Sequence, residues 1–254
     1  MNIKKSIKYS FILISALVIV LAAINSVALI HVEENSTSSS KIEELVYLEE
    51  NMNSLLKDAM ITSKLNDLND INKSFLEYEN DFEKLNKSFI LNDQNDFLDL
   101  FIPDIQNNIK IKRNLTLLVK NEKIIEIAFD KIVNLQREKI ELTNKFYIEY
   151  PLENRLRKKI EKDILRSQDI ALLKSLSNLK YYSKETLYQH KNREYLNKWI
   201  NEIVNIKKIY KNSDLDEYQS IVKKVGSYAL RVKNIEMIEK ILEKEVLKIV
   251  KLNS

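Results

Sequence analysis

The chain is predicted to be all-α, and three features of its sequence say so. Its 254 residues include one Gly and two Pro, whereas β-hairpins draw on glycine-containing turns such as Asn-Gly and Asp-Gly. The single glycine, Gly226, follows Val225 and supplies neither pair. Apolar residues recur in alternating steps of three and four, the spacing of a helix seam. Between the segments so spaced lie short runs of Asn and Asp, which compete for backbone hydrogen bonds and interrupt helices. The expected architecture is an N-terminal transmembrane helix followed by about six long helices in an elongated, two-layer helical bundle.

The first element is apolar. No charged residue occurs from Tyr9 to Ile30, and from Phe11 to Ile30 only Ser15, Asn25 and Ser26 are polar. Crossing a hydrocarbon core takes roughly twenty such residues. Lys4, Lys5 and Lys8 precede the stretch, and His31, Val32, Glu33 and Glu34 follow it. Because positive residues stay on the cytoplasmic side, the expected topology has 1–8 inside, 9–31 as a single span of the inner (cytoplasmic) membrane, and 32–254 in the periplasm. A cleaved signal peptide is the competing assignment, with Ser26, Val27 and Ala28 at the cleavage site. Signal cores run about 7 to 15 residues; this one continues through Leu29 and Ile30 without a turn residue, so retention is expected.

Leu45, Leu48, Met52, Leu55, Ala59 and Thr62 define helix one, 41–65. The Asn66, Asp67, Asn69, Asp70 cluster is expected to break it, after which Phe75, Tyr78, Phe82, Leu85 and Phe89 define helix two, 69–90. A second polar run, Asn92 to Asp96, ends that helix, and Pro103 with Asp104 suits the start of helix three, 104–149. Pro151 lacks an amide donor and disfavours helix at Tyr150, so a kink or turn is expected before helix four, which carries Leu152, Leu156 and Ile160 and reaches Lys191. Leu196, Trp199, Ile203, Ile206 and Tyr210 form helix five. Asp214 with Glu217 resembles a capping box opening helix six, through Leu252. Gly226 falls inside it, where a close crossing by another helix accounts for it better than a hinge.

Composition narrows the functions available. The formal charge is +4, and Lys4, Lys5 and Lys8 contribute three of those charges. Elsewhere Lys and Glu are interspersed, as a solvated helix face requires and a nucleic-acid patch does not. With no cysteine there are no disulfides and no thiolate chemistry. His31 and His190 are the only histidines and cannot build a zinc centre. A chain with one glycine offers neither a phosphate-cradling loop nor a strained nucleophile turn. A Ser, His, Asp triad is not excluded by spacing, yet no enzymatic activity and no cofactor or metal are expected.

The most chemically diverse cluster lies at the junction of helices four and five. Tyr181, Tyr182, Tyr188, Tyr195 and Trp199 gather around Lys180, Lys184, Glu185, His190 and Arg193. Such tyrosines cap a bundle end by burying their rings and keeping their hydroxyls wet. The same group, Lys180, Tyr181, Tyr182, Lys184, Glu185, Tyr188, Arg193 and Tyr195, would serve as a pocket for a small anion.

The layout and this segment carry a resemblance. An N-terminal span followed by six helices, with the stretch Lys180, Tyr181, Tyr182, Ser183, Lys184, Glu185, Thr186, Leu187, Tyr188, Gln189, His190, Lys191, Asn192, Arg193, Glu194, Tyr195, Leu196, resembles the helical bimodular sensor domains of bacterial chemoreceptors and sensor histidine kinases. There, basic residues precede Glu-Lys, an aromatic-Leu pair, then Asp, two residues and Tyr. Here the order is Lys184-Glu185, Asn192 stands for the Asp, and a tyrosine occupies one arginine position. The resemblance implies two stacked four-helix bundles, a homodimer, a small ligand such as an organic acid or a periplasmic binding protein, and signalling by helix displacement.

The expected function is therefore a membrane-anchored extracytoplasmic sensory module of a signal-transduction receptor, chemoreceptor-like or sensor-kinase-like. No second apolar span follows helix six, so the chain is expected to be the front portion of a longer receptor or to dock to another protein. The alternative is a membrane-tethered helical scaffold with no small-molecule ligand.

Overall fold

The computed structural model describes residues 3–92 and 105–251. Among them there is no strand; six α-helices follow in order, α1 (Ile3–Ile61), α2 (Leu65–Asn92), α3 (Ile105–Ser167), α4 (Ile170–Lys184), α5 (Arg193–Ile209) and α6 (Asp214–Lys251), with a π-helical turn at Glu185–Gln189. The all-α expectation holds.

Two breaks fall elsewhere than expected. α3 runs straight through Pro151 for 63 residues. An interior proline costs about 3 kcal/mol or more, but Pro151 lies on the exposed side, and burial of Glu153 and Leu156 holds the helix beyond it. On the preceding turn Phe146 stacks on Tyr150, centroids 5.2 Å apart. The true break is at Gln168 and Asp169. Gln168 takes a left-handed conformation, φ 54°, and the Asp169 carboxylate caps α4 by accepting from the amides of Ala171 and Leu172 at 2.8 and 3.1 Å.

The turn between α1 and α2 is Thr62 to Lys64, ahead of the expected interruption. Asn66, Asp67, Asn69 and Asp70 open α2 instead, since a carboxylate such as Asp67 in the first turn complements the positive helix N-terminus. Carbonyls at the end of α1 and in the turn after it are met from α3: Lys139 Nζ donates to Met60 O at 3.4 Å and Gln136 Nε2 to Thr62 O. At the start of α6 the cap is Asn212, whose side chain accepts from the Asp214 amide at 2.9 Å; Asp214 pairs with Lys159 at 2.7 Å. The Asn92 to Asp96 run, apart from Asn92, lies outside the described residues, as do Pro103 and Asp104.

The chain divides into two compact units, one of Met1–Met52 with Glu77–Glu122, the other of Asn53–Leu76 with Lys123–Ser254. In the first, Leu45 and Leu48 of α1 pack with Phe82 of α2 and Leu118 of α3. Glu49 is buried there and accepts from Asn121 Nδ2 at 3.1 Å; burial raises its carboxyl above the ordinary range, with the Asn121 bond opposing. In the second, α3, α4, α5 and α6 close a core around Ile160, Leu176, Trp199, Ile203, Tyr218 and Val222. Phe75 of α2 and Phe129 of α3 stack within the same unit, centroids 3.6 Å apart.

The predicted span, 9–31, is helical as the first part of α1, and most of its side chains lie outside those described. Leu21 and Leu29, which are described, are exposed. Among the described residues no helix is long and apolar enough to cross a membrane.

Gly226 sits where α5 crosses α6. A methyl group there would press on Leu196, with Cδ2 and Cγ at 3.2 and 3.3 Å and Cδ1 nearer still. Leu196 is itself buried and has little room to yield. Gly226→Ala should therefore lower stability by about 1 kcal/mol, overpacking of about 1–3 kcal/mol outweighing a propensity gain of about 1 kcal/mol. In a Leu196→Ala background the same change should be neutral or stabilising, as read by urea denaturation of all four variants.

Candidate functional site

Hydroxyls begin the distortion at the end of α4. Ser183 Oγ donates to Lys180 O at 2.9 Å and Thr186 Oγ1 to Tyr182 O at 2.7 Å, back-bonds that loosen a helix. The backbone then widens into the π-helical turn, in which Glu185 O accepts from the amides of both His190 and Lys191 at 2.9 Å. Lys191 adopts φ 45°, and Asn192 restarts the helix by accepting from the Tyr195 amide at 3.0 Å. π-Helical turns are rare and occur frequently at functional sites.

The turn brings several of the expected residues together. Tyr181, Tyr182 and Tyr195 meet with centroids 5.4 to 6.3 Å apart, and the His190 ring lies 5.2 Å from that of Tyr195. Partnership with Tyr195 holds the Tyr181 phenol above its ordinary range. Glu185 is buried and bonds His190 Nδ1. Lys184 and Arg193 are exposed. Two expected members point elsewhere: Lys180 pairs with Glu161 of α3, and Tyr188 turns its ring edge toward Tyr150, centroids 6.4 Å apart.

Two further cations join the cluster. Lys198 lies over the Tyr195 ring, 5.3 Å from its centroid, while pairing with Glu194 at 2.6 Å. Lys233 of α6 donates to His190 O. Lys198 stands one helical turn beyond Tyr195, an i, i+3 spacing that the sequence displays; Lys233 comes from a distant helix and leaves no sequence signal.

Behind the tyrosines lies a buried polar chain. Glu153 of α3 is 1 % exposed, and its Oε1 accepts from the Tyr218 hydroxyl at 3.0 Å and from Arg157 Nε at 3.1 Å. The Tyr218 hydroxyl in turn accepts from Trp199 Nε1 at 3.3 Å, so α3, α5 and α6 are joined through four side chains. Burial raises the Glu153 carboxyl despite Arg157 and Tyr218, and burial with the Glu153 charge raises the Tyr218 phenol. Tyr188 is raised as well, by burial first and then by its bond with Tyr150. The i, i+4 pairing of Glu153 with Arg157 is legible in sequence; its burial is not, because the same spacing marks exposed helix pairs.

Chemically, the tyrosine cluster offers aromatic faces, phenolic hydroxyls and exposed cations, groups able to hold a small anion. Comparison with family models, curated protein sequences and solved structures finds no match for the chain.

A pH test isolates the Glu153 chain. Its carboxyl is raised on folding, so the stability it contributes is fully present below the ordinary carboxylate range, about 4.5, and is lost as pH rises through the folded value. Thermal melts from pH 4.5 to 8 should show Glu153→Gln gaining stability relative to the parent as pH rises, with the two nearly equal at the acidic end.

Proposed function

We propose that the chain is a membrane-anchored extracytoplasmic sensory module of a bacterial signal-transduction receptor, without enzymatic activity, that binds a small ligand and passes the change on by displacement of its helices. The observation that carries this is the continuity of α1. One unbroken helix of 59 residues holds the uncharged stretch Tyr9 to Ile30 and, further on, Leu45, Leu48, Met52, Leu56 and Ala59, all buried. A helix tied to an anchor at one part and to two packed cores at another conveys a shift in either core along its axis. Packed helices hold discrete arrangements, and a ligand that prefers one biases slides or rotations of about 1–2 Å.

Supporting it are the resemblance of the Lys180 to Leu196 segment to helical bimodular sensor domains, the tyrosine cluster beside a π-helical turn, and Leu21 and Leu29 exposed within the apolar stretch. On this reading the protein is a homodimer in the inner membrane, with the two units as two bundles. The ligand is a small organic acid, or a periplasmic binding protein docks in its place.

A second reading, a tethered scaffold, draws on Tyr147 and Ile148, adjacent on α3 and 69 % and 75 % exposed. Crosslinking in membranes separates them: a scaffold traps one partner stoichiometrically, whereas the sensory module traps mainly itself.

For the ligand, the full chain in mild detergent should melt several degrees higher in the presence of at least one member of a panel of small carboxylates. Arg193→Ala and Tyr195→Ala should each abolish that rise. A flat response to the whole panel would count against this ligand class.

A further inference from the structure

The two carboxylate oxygens of Glu153 are held unequally. Oε1 accepts from both the Tyr218 hydroxyl and Arg157 Nε, at 3.0 and 3.1 Å. Oε2 is withdrawn from water and has no hydrogen-bond partner among the described residues. A proton can therefore join Oε2 without displacing a donor, and the neutral acid so formed is less costly to keep out of water than the carboxylate. The buried chain of Glu153, Tyr218 and Trp199 then changes charge at one end while its hydrogen bonds along Oε1 remain available.

Arg157 has a second partner ready. Its Nη2 donates to Asn154 Oδ1 at 2.9 Å, and its side chain is 21 % exposed against 1 % for Glu153. Once Glu153 is neutral the charge that attracts Nε is gone, and the guanidinium can turn toward water while keeping Asn154. The other groups that share a field with this carboxyl are Tyr218 of α6 and Tyr188 of the π-helical turn. Both phenols are raised from their ordinary value, so neither changes charge below about pH 8. α4 faces the same core with Leu172, Leu176 and Leu179 and α5 with Trp199, none of which titrates, and Tyr150, Tyr182 and Tyr210 pack at its margin. Through Tyr188, which meets Tyr150 edge-on, the Glu153 charge is felt in the turn beside the tyrosine cluster.

We propose that Glu153 is a proton-operated latch inside the folded protein. As a carboxylate it holds Arg157 and, through the Tyr218 hydroxyl, Trp199. On taking one proton from solvent at Oε2 it forms a single O–H bond, loses its negative charge and releases Arg157 Nε, while Tyr218 continues to donate to Oε1. The packing of α3 against α6 and the π-helical turn then adjusts to the lost charge. Mild acid is thereby a signal the larger unit reads, and this stands apart from the sensory reading and from any ligand.

Trp199 is the one tryptophan of the chain, so its emission reports the latch. The full chain in mild detergent is titrated from about pH 4.5 to 8 while Trp199 emission and far-ultraviolet circular dichroism are followed. The emission should shift in one reversible step at constant helicity, with a midpoint above the ordinary carboxylate range because burial disfavours the charged form. Glu153→Gln should abolish the step. Arg157→Gln, at a partly exposed position, should move the midpoint upward by about one pH unit or more, since the cation that favours the carboxylate is gone; it decides the matter if Glu153→Gln does not fold. Emission independent of pH overturns the proposal, and so does a step that persists in Glu153→Gln or a midpoint unmoved by Arg157→Gln. A step that disappears in His190→Gln overturns it too and assigns the titration to the histidine at the π-helical turn.

Discussion

Where a chain with one glycine can reverse direction decides the rest of this structure. The breaks before α4 and α5 share one solution. A non-glycine residue, Gln168 or Lys191, enters the left-handed region, and the next residue, Asp169 or Asn192, caps the following helix with its side chain. Left-handed backbone costs about 1–2 kcal/mol for a residue with a Cβ, and a good cap contributes about 1 kcal/mol in return. Neither break is comfortable alone; each is held by the core it allows to form. Because both lie in the larger unit, α4 and α5 are short and fold back on the longer α3 and α6, which puts Glu153, Tyr218 and Trp199 within hydrogen-bonding reach in the interior.

That buried chain joins three helices through a carboxyl withdrawn from water. Replacing such a group by an apolar one is often neutral or stabilising, but removing one partner alone is not. Burial raises the Glu153 carboxyl, and Arg157 and Tyr218 oppose that rise. Two further half-satisfied carboxylates, at Glu202 and Glu239, show the same tension at other helix contacts.

Much of the fold is legible in the sequence because helical periodicity survives without context. The apolar seams named for helices one, two and five fall on α1, α2 and α5, whereas Leu152, Leu156 and Ile160, assigned to helix four, belong to α3; Gly226 marks the crossing of α5 and α6, since a glycine amid helix formers is tolerated where a neighbouring helix leaves no room for a Cβ. Pro151 misleads because its cost is outweighed by the packing on either side of it, and the Asn66 to Asp70 cluster because the same residues that interrupt a helix also begin one. Of the candidate site, the tyrosines can be named from sequence but not oriented. Lys180 and Tyr188 leave the cluster for Glu161 and Tyr150, and Lys233 enters it from α6; such partnerships depend on tertiary packing that no local pattern encodes. The buried state of Glu153 and Glu239 is invisible in sequence for the same reason.

The functional account depends on the continuity of α1 between the uncharged stretch and the two cores. It requires that stretch to lie in a membrane with the helical units outside. Because the chain contains no cysteine, introduced thiols report their own location. Asn197→Cys lies on the exposed face of α5, and Ser6→Cys lies before the apolar stretch. In intact cells whose outer membrane has been made permeable, a membrane-impermeant maleimide should label Asn197→Cys at once and Ser6→Cys only after lysis of the inner membrane. Labelling of Asn197→Cys only after lysis would contradict the account.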